Sequence, residues 1–539
     1  MAFHPKKEKM GSYPYRAIIQ DAIHGSIRIN EAEYWLLQTP FLRRLHNIRQ
    51  LGLNFLVFPS ASHTRLSHSL GVMHIASRIA ERITRLAEKD SKVCAALVSE
   101  CTHEARFSFI QLARIAGLIH DIGHLPFSHV GEEAFFQLMQ EKEVTRVLDK
   151  IRGPNASKPH EAYTYFFGKK LVELARDSRL DAPSNLESYI ELFIESLRVS
   201  SIAPQIGLED KLRDLAENLH LSPEGLGIVR SIISHEIADA DRLDYLRRDA
   251  WFTGVIYGYT DLDRMIEGIY VEIREGRPLL KIDKKTTQSI EDIFDSRLKM
   301  YRSVYHHHKS VAFRITLKNA LDYIYDYWDQ TGRLLYSKYD SLEDLLDPEV
   351  LSSGIAEGSV YFDDVETEAM VRLLLRVRDK KAIRWAKALL HDRRLTPISL
   401  IKRQEDLTEA LFPLGMSQDI HSLFFEKIQS MIQFIINKKR YYDELRSRLS
   451  TRISRITGVD PSHIEVYISH SDVGGIGNPA DKGIVSVYLN FLNELASIPT
   501  LNSYVYSDYE DSHLRMYRYR NAIRKEFISI LRDILASLD

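Results

Sequence analysis

Residues 114–129 read RIAGLIHDIGHLPFSH, an apolar helical run that leads directly into His120, Asp121, His124 and His129. A carboxylate beside imidazoles is costly to bury unless its charge is met, and a metal ion is the partner that satisfies both ligand types. Gly123 and Pro126 end the helix there, so His120 and Asp121 can both turn toward one ion. The stretch therefore calls for a helical body with a polar cluster set into it. A lone His-Asp pair is a common surface or capping feature, and two further segments carry the assignment. TRLSHSLGVMH sets Arg65 and His68 on one helix face, and ADADRLDYLRRD repeats Asp241, Tyr245 and Asp249 at i, i+4, i+8.

Elsewhere the apolar spacing is also helical, as in Leu66, Leu70, Met73 and Ala76, or Leu112, Ile115 and Ile119, which predicts a mainly α protein. Residues 17–30 alternate like a short strand pair around a Gly turn. We expect one domain over 1–340, with helical insertions near 90–108 and 168–228, and a C-terminal helical and α+β region over 341–539. In that region IEVYIS, GIVSVYL and SYVYSD alternate like strands. A net charge of −2 over 539 residues exerts no global pull on nucleic acid or anionic lipid, so any polyanion site must be local. Cys94 and Cys101 read as two reduced thiols packing on one helix face. With no apolar stretch behind the basic N-terminal residues and no run long enough to span a bilayer, the expectation is a cytoplasmic protein that does not engage membranes.

The run from Asp21 to His74 (DAIHGSIRINEAEYWLLQTPFLRRLHNIRQLGLNFLVFPSASHTRLSHSLGVMH), followed by HDIGHLPFSH and DADRLDY, resembles the HD-domain deoxynucleoside triphosphate triphosphohydrolases over roughly residues 17–310. The resemblance implies a helical HD phosphohydrolase fold with small β elements. It also implies a divalent ion held by His68, His120, Asp121 and Asp241: Fe, Mn or Zn, with Mg²⁺ on the substrate phosphates. The reaction implied is hydrolysis of a deoxynucleoside triphosphate to deoxynucleoside and tripolyphosphate. His124, His129 and Glu132 match the positions that place water and protonate the leaving oxygen, where an imidazole titrating near neutrality suits the transfer. Arg65 and Arg242 match phosphate contacts; the family often has Lys where Arg242 stands. Gln50 and Leu51 match positions lining sugar and base, and Tyr245 and Asp249 those beside the sugar and its 3′-hydroxyl. His160, in a His-Glu pair, and Tyr305, beside the base, complete the set. Relatives are often homo-oligomers, so a dimer, tetramer or larger assembly is expected.

One departure concerns regulation. Vertebrate members hold an activating guanine nucleotide through an acidic residue before a Thr-Pro pair and a Gln and an Arg after it. Here those positions are Gln38, Arg43 and His46, which leaves the identity of any nucleotide activator open. Adjacent His306, His307 and His308 diverge around a helix and read as a solvated face more readily than as a second metal site. NKKRYYDELRSRLSTRISR is basic with interleaved Tyr, yet Leu445, Leu449 and Ile453 describe a packed amphipathic helix, so nucleic-acid binding is not favoured. Gly-rich HSDVGGIGNPADKG lacks the context of a P-loop and reads as a loop, with regulatory ligand binding as a hypothesis. Two rival functions use the same residues: an HD phosphodiesterase or nuclease acting on single-stranded nucleic acid or a cyclic dinucleotide, and a nucleotide sensor without significant turnover.

Overall fold

The computed structural model describes residues 15–151, 159–200, 208–235, 239–390, 396–401, 439–459, 464–470, 501–507 and 519–536. The described chain opens with an antiparallel hairpin, β1 (Ala17–Asp21) and β2 (Gly25–Ile29), in which Ala17 faces Ile29 and Asp21 faces Gly25. Gly25, at φ 71°, supplies the left-handed residue of the turn. Period-two alternation turns Ile27 and Ile29 into the core and leaves Ile18 outside.

The body is helical. Its principal members are α1 (Arg65–Ala87), α2 (His103–Ile119), α3 (Ser128–Glu141), α4 (Pro159–Arg176) and α5 (Ala240–Thr253). Thr64 and Thr102 start α1 and α2 by accepting the Ser67 and Ala105 N–H groups on their hydroxyls. α1 packs along α2 and against α5. The expected faces are the buried ones, with Leu66, Leu70, Met73 and Ala76 on α1 and Leu112, Ile115 and Ile119 on α2 all in the core. At Gly117 a Cβ would stand 2.9 Å from the Met73 Cα, so a side chain there would push the two helices apart. Helix Pro223–Ile233 packs on α2, and helices Leu186–Ser200 and Pro348–Ala356 pack on α4. A second hairpin, β3 (Ile269–Arg274) and β4 (Arg277–Ile282), completes the small β content here. The mainly α expectation therefore holds.

The cysteine expectation does not. The helix Ser91–Leu97 stops because Val98 bridges Leu221 and the Ser99 N–H donates to the His220 carbonyl at 3.1 Å. Cys101 thus leaves the helix, and the chain folds back so that the Cys94 and Cys101 Cα atoms lie 5.9 Å apart with their sulfurs joined in a disulfide.

By compactness the chain divides into one unit of Met1–Tyr305 with Leu317–Ala386, and a second of His306–Thr316 with Lys387–Asp539. The first includes α6 (Asp364–Leu373). In the second, β5 (Thr396–Ile401), β6 (Ile464–His470) and β7 (Leu501–Ser507) form an antiparallel sheet in the order β5-β7-β6. Helices α7 (Lys439–Thr457) and α8 (Arg520–Ala536) pack together beside it. Leu445, Leu449 and Ile453 are fully buried against this neighbourhood, as their spacing requires, while Arg448 pairs with Asp533 at 2.8 Å. GIVSVYL and nearly all of HSDVGGIGNPADKG lie outside the described residues. Among the described residues, no helix is long and apolar enough to cross a membrane.

Candidate metal centre

The site forms where the first turn of α1, the C-terminal end of α2 and the first turn of α5 meet. Arg65 and His68 project from α1, His120 and Asp121 follow the last turn of α2, and Asp241 opens α5. The His68 Nε2 faces Asp241 Oδ1 at 3.0 Å and Asp121 Oδ2 at 3.6 Å, and the His120 Nε2 faces Asp121 Oδ1 at 3.4 Å and Asp241 Oδ1 at 3.8 Å. Neither nitrogen has a well-directed hydrogen-bond acceptor, although both are buried. Their other ring nitrogens are engaged. His120 Nδ1 meets the Gly117 carbonyl at 2.8 Å, and His68 Nδ1 meets Asp244 Oδ2 at 2.7 Å. A proton fixed on each Nδ1 leaves both Nε2 lone pairs aimed at the two carboxylates, an arrangement that suits a divalent cation. Burial alone would push the His68 imidazole down, but Asp241 and Asp244 reverse this and raise it to about 10. Asp241, despite desolvation that would raise it, is held well below the carboxylate range by His120 and His68.

Behind His68 lies a buried network to which sequence reasoning gave no role. Asp244 Oδ1 meets His24 Nε2 at 2.6 Å, and Arg248 binds both Asp244, at 2.8 Å, and Asp21, at 2.8 Å. Asp244 and Arg248 are fully buried. Gly71 makes room for them, because a side chain there would collide with the Asp244 carboxylate and the Arg248 guanidinium. The signal was present in the DAIHG and DRLDY segments, whose Asp21, His24 and Asp244 passed without assignment.

A second cluster shares Asp121 with the first. His124 stands between two carboxylates, with its Nε2 3.3 Å from Asp121 Oδ1 and its Nδ1 hydrogen-bonded to Glu132. The other oxygen of Glu132 meets His160 Nδ1 at 3.0 Å and His129 Nδ1 at 3.5 Å. The His124 and His160 rings stack with centroids 4.1 Å apart. Glu132 is buried, yet His124 and His160 outweigh the desolvation and hold it well below the carboxylate range. His160 is pushed down, first by burial and then by His124. His129 is the exposed member, with 64% of its side chain accessible. The structure pairs His160 with Glu132, whereas the adjacent Glu161 lies in the field of Arg230.

Most of the remaining residues expected at the site have partners of their own. Arg65 donates to Asp121 Oδ2 at 2.6 Å and to the Ser128 hydroxyl at 2.9 Å. Arg242 lies 3.8 Å from Asp239. Asp249 accepts from the Tyr305 hydroxyl at 2.7 Å and meets His63 Nε2 at 2.8 Å, and the Tyr245 and Tyr305 rings meet edge to face. Gln50 and Leu51 are buried on the strap before α1, and the Gln50 Oε1 has no hydrogen-bond partner. His63 had escaped notice in the sequence.

This helical fold, with a His-Asp pair at the end of one helix and its partners on two others, is that of an HD-domain protein, and residues 65–248 match the HD domain. The chain is 32% identical over 290 residues to an uncharacterised protein of Methanocaldococcus jannaschii, covering 54% of this chain and 46% of that protein. It is 28% identical over 371 residues to an uncharacterised Mycoplasma pneumoniae protein, covering 67% of this chain and 74% of that one. Human SAMHD1, a deoxynucleoside triphosphate triphosphohydrolase, is 26% identical over 321 residues, covering 58% of this chain and 46% of its own. The chain therefore spans about half the length of the archaeal and human relatives. A crystal structure of a phosphohydrolase from Bacteroides thetaiotaomicron shares the fold, with a TM-score of 0.58 at 20% identity, covering 91% of this chain and 99% of that one. Residues 65–248 thus carry an HD domain, and more than half of the chain is similar to deoxynucleoside triphosphate triphosphohydrolases.

Proposed function

We propose that the chain is a metal-dependent phosphohydrolase that cleaves deoxynucleoside triphosphates to deoxynucleoside and inorganic tripolyphosphate. The observation that carries the reading is the convergence of two buried, unpartnered imidazole nitrogens, on His68 and His120, with the Asp121 and Asp241 carboxylates. Those four residues would hold Fe, Mn or Zn; imidazole with carboxylate does not select among them, and Mg²⁺ would accompany the phosphates. When bound, the ion supplies Lewis acidity at the α-phosphate and lowers the pKa of water. Arg65 and Arg242 neutralise charge building on the triphosphate. The stacked His124 and His160, with exposed His129, hold and return a proton to the leaving 5′-oxygen, and Glu132 fixes their orientation. Tyr245 walls the sugar and Tyr305 the side of the base, and Asp249, already bound by Tyr305 and His63, is available to a 3′-hydroxyl. Support for a deoxynucleotide comes from the likeness to SAMHD1 proteins, whose name states that activity. The C-terminal unit would serve regulation or assembly into a homo-oligomer.

The test is purified protein with each deoxynucleoside triphosphate, singly and in mixtures, with Mg²⁺ or Mn²⁺, assayed by chromatography. Deoxynucleoside and tripolyphosphate are expected from at least one mixture. Their absence throughout, with metal-dependent shortening of an oligonucleotide, would replace this reading with a phosphodiesterase.

A further inference from the structure

The turn that delivers Ser128, His129 and Glu132 to the site is strained. Phe127 and Ser128 are consecutive non-glycine residues in the left-handed region, at φ 61° and 57°. Such conformations persist only where their surroundings impose them. The Phe127 N–H, at the start of α3, donates not to a neighbouring cap but to Asp364 Oδ1, at 2.6 Å. The other carboxylate oxygen of Asp364 accepts the Arg49 N–H at 3.0 Å and Arg49 Nη1 at 3.3 Å. Arg49 immediately precedes Gln50 and Leu51, and its carbonyl accepts the Ser128 hydroxyl at 2.7 Å. One side chain that is 1% exposed thus ties the Gln50–Leu51 strap to the turn before α3.

Other groups fasten the same segment. The fully buried Arg44 donates to the Phe362 carbonyl at 2.9 Å and to the Ile122 carbonyl at 3.4 Å, and Asn47 donates to Asp363 at 2.8 Å. Residues 361–364, more than a hundred positions beyond the HD match, therefore grip the HD loop on both sides.

Resting on the proposed activity, we infer that Asp364 is a positioning residue, which holds the Phe127–Ser128 turn against the Arg49–Leu51 strap so that His129 and Glu132 meet substrate in register. It contacts none of the four candidate metal ligands, so its removal should act through the placement of His129 and Glu132 and of the Gln50–Leu51 strap and leave the metal in place. Asp364→Asn retains one acceptor oxygen and should preserve most of the function, whereas Asp364→Ala leaves both N–H groups buried without a partner.

The experiment measures kcat and KM of the metal-loaded full chain for the two variants, with bound metal quantified and hydrogen exchange followed peptide by peptide. For Asp364→Ala we expect kcat/KM to fall by about tenfold or more with kcat itself lowered, metal content unchanged, and faster exchange confined to residues 122–133 and 46–52. Asp364→Asn should recover at least part of kcat. Unchanged exchange in those peptides, or faster exchange throughout α1, α2 and α5, would overturn the inference, since the first denies the tether and the second makes it ordinary fold stability. If the unaltered protein hydrolyses no nucleotide, the proposed activity falls and the exchange pattern alone decides the tether.

Discussion

The two polar clusters of the HD domain lie side by side and share Asp121, and they differ in the partners that fasten their imidazoles. Around His68 and His120 each imidazole has its Nδ1 fastened, to Asp244 and to the Gly117 carbonyl, and its Nε2 left without a partner. Around Glu132 three imidazoles lean on a single carboxylate, and their protons have somewhere to go. The first arrangement wastes two lone pairs unless a cation fills the space between them. In the second, the His124 Nε2 is likewise buried without a well-directed acceptor, 3.3 Å from the Asp121 carboxylate that both clusters share, while its Nδ1 is bonded to Glu132. The lesson is that an imidazole fastened at Nδ1 with a buried, unpartnered Nε2 recurs at His68, His120 and His124, all of them facing Asp121, so the shared carboxylate, more than the number of histidines, marks where an ion belongs.

That contrast can be broken experimentally. Substituting Asp121 by Ala should abolish both metal retention and turnover, to background, as read by elemental analysis and tripolyphosphate release; an active, metal-loaded variant would end the distinction. Glu132→Gln should keep its metal while kcat falls by about 10²–10⁴, the usual scale for losing general acid-base assistance. Loss of metal in that variant would mean that the second cluster also holds an ion. Asp244→Asn, which weakens the partner of His68, should reduce metal affinity by about ten- to a hundredfold in a competition titration with a chelator.

The smallest effect concerns pH. Burial pushes Asp364 up to about 7, against the Phe127 and Arg49 N–H groups and the Arg49 guanidinium, with Asp363 adding to the rise; Arg44, Glu366, Glu368 and Tyr336 lie in the same neighbourhood. A carboxyl whose pKa is raised on folding contributes most stability below its unfolded value and loses it as pH climbs toward 7. The melting temperature of Asp364→Asn relative to the unaltered protein should therefore increase from pH 5 to pH 8, by about 2 °C or more. A flat difference would show that Asp364 titrates normally.

Much of this was legible in the sequence because the informative residues are close together. His120 and Asp121 adjoin, Arg65 and His68 lie one turn apart, and the alternation of residues 17–30 is local, as is the apolar stripe of Leu445, Leu449 and Ile453. What escaped reading depends on pairing across the chain. Asp244 finds His24, and Phe127 finds Asp364, at separations of 220 and 237 residues, which no helical or strand period encodes. The cysteines misled for a related reason. Seven positions apart, they fit one helix face, but the Val98 bridge to Leu221 ends that helix before Cys101. The assignment of Glu132 as a nearby acid gave no hint that three histidines would converge on it.

Asp121 also bears on how mutational energies in this protein are to be read. Its Oδ1 faces both His120 and His124, at 3.4 and 3.3 Å, and its Oδ2 faces Arg65 and His68. Residues that share a partner at such distances do not contribute independently, and double-mutant cycles across them return coupling energies of about 0.5–3 kcal/mol. A loss measured at His68 alone therefore includes part of what His124 does. Partitioning the rate between a metal half and a proton half requires the double substitution, because single replacements count the shared carboxylate twice.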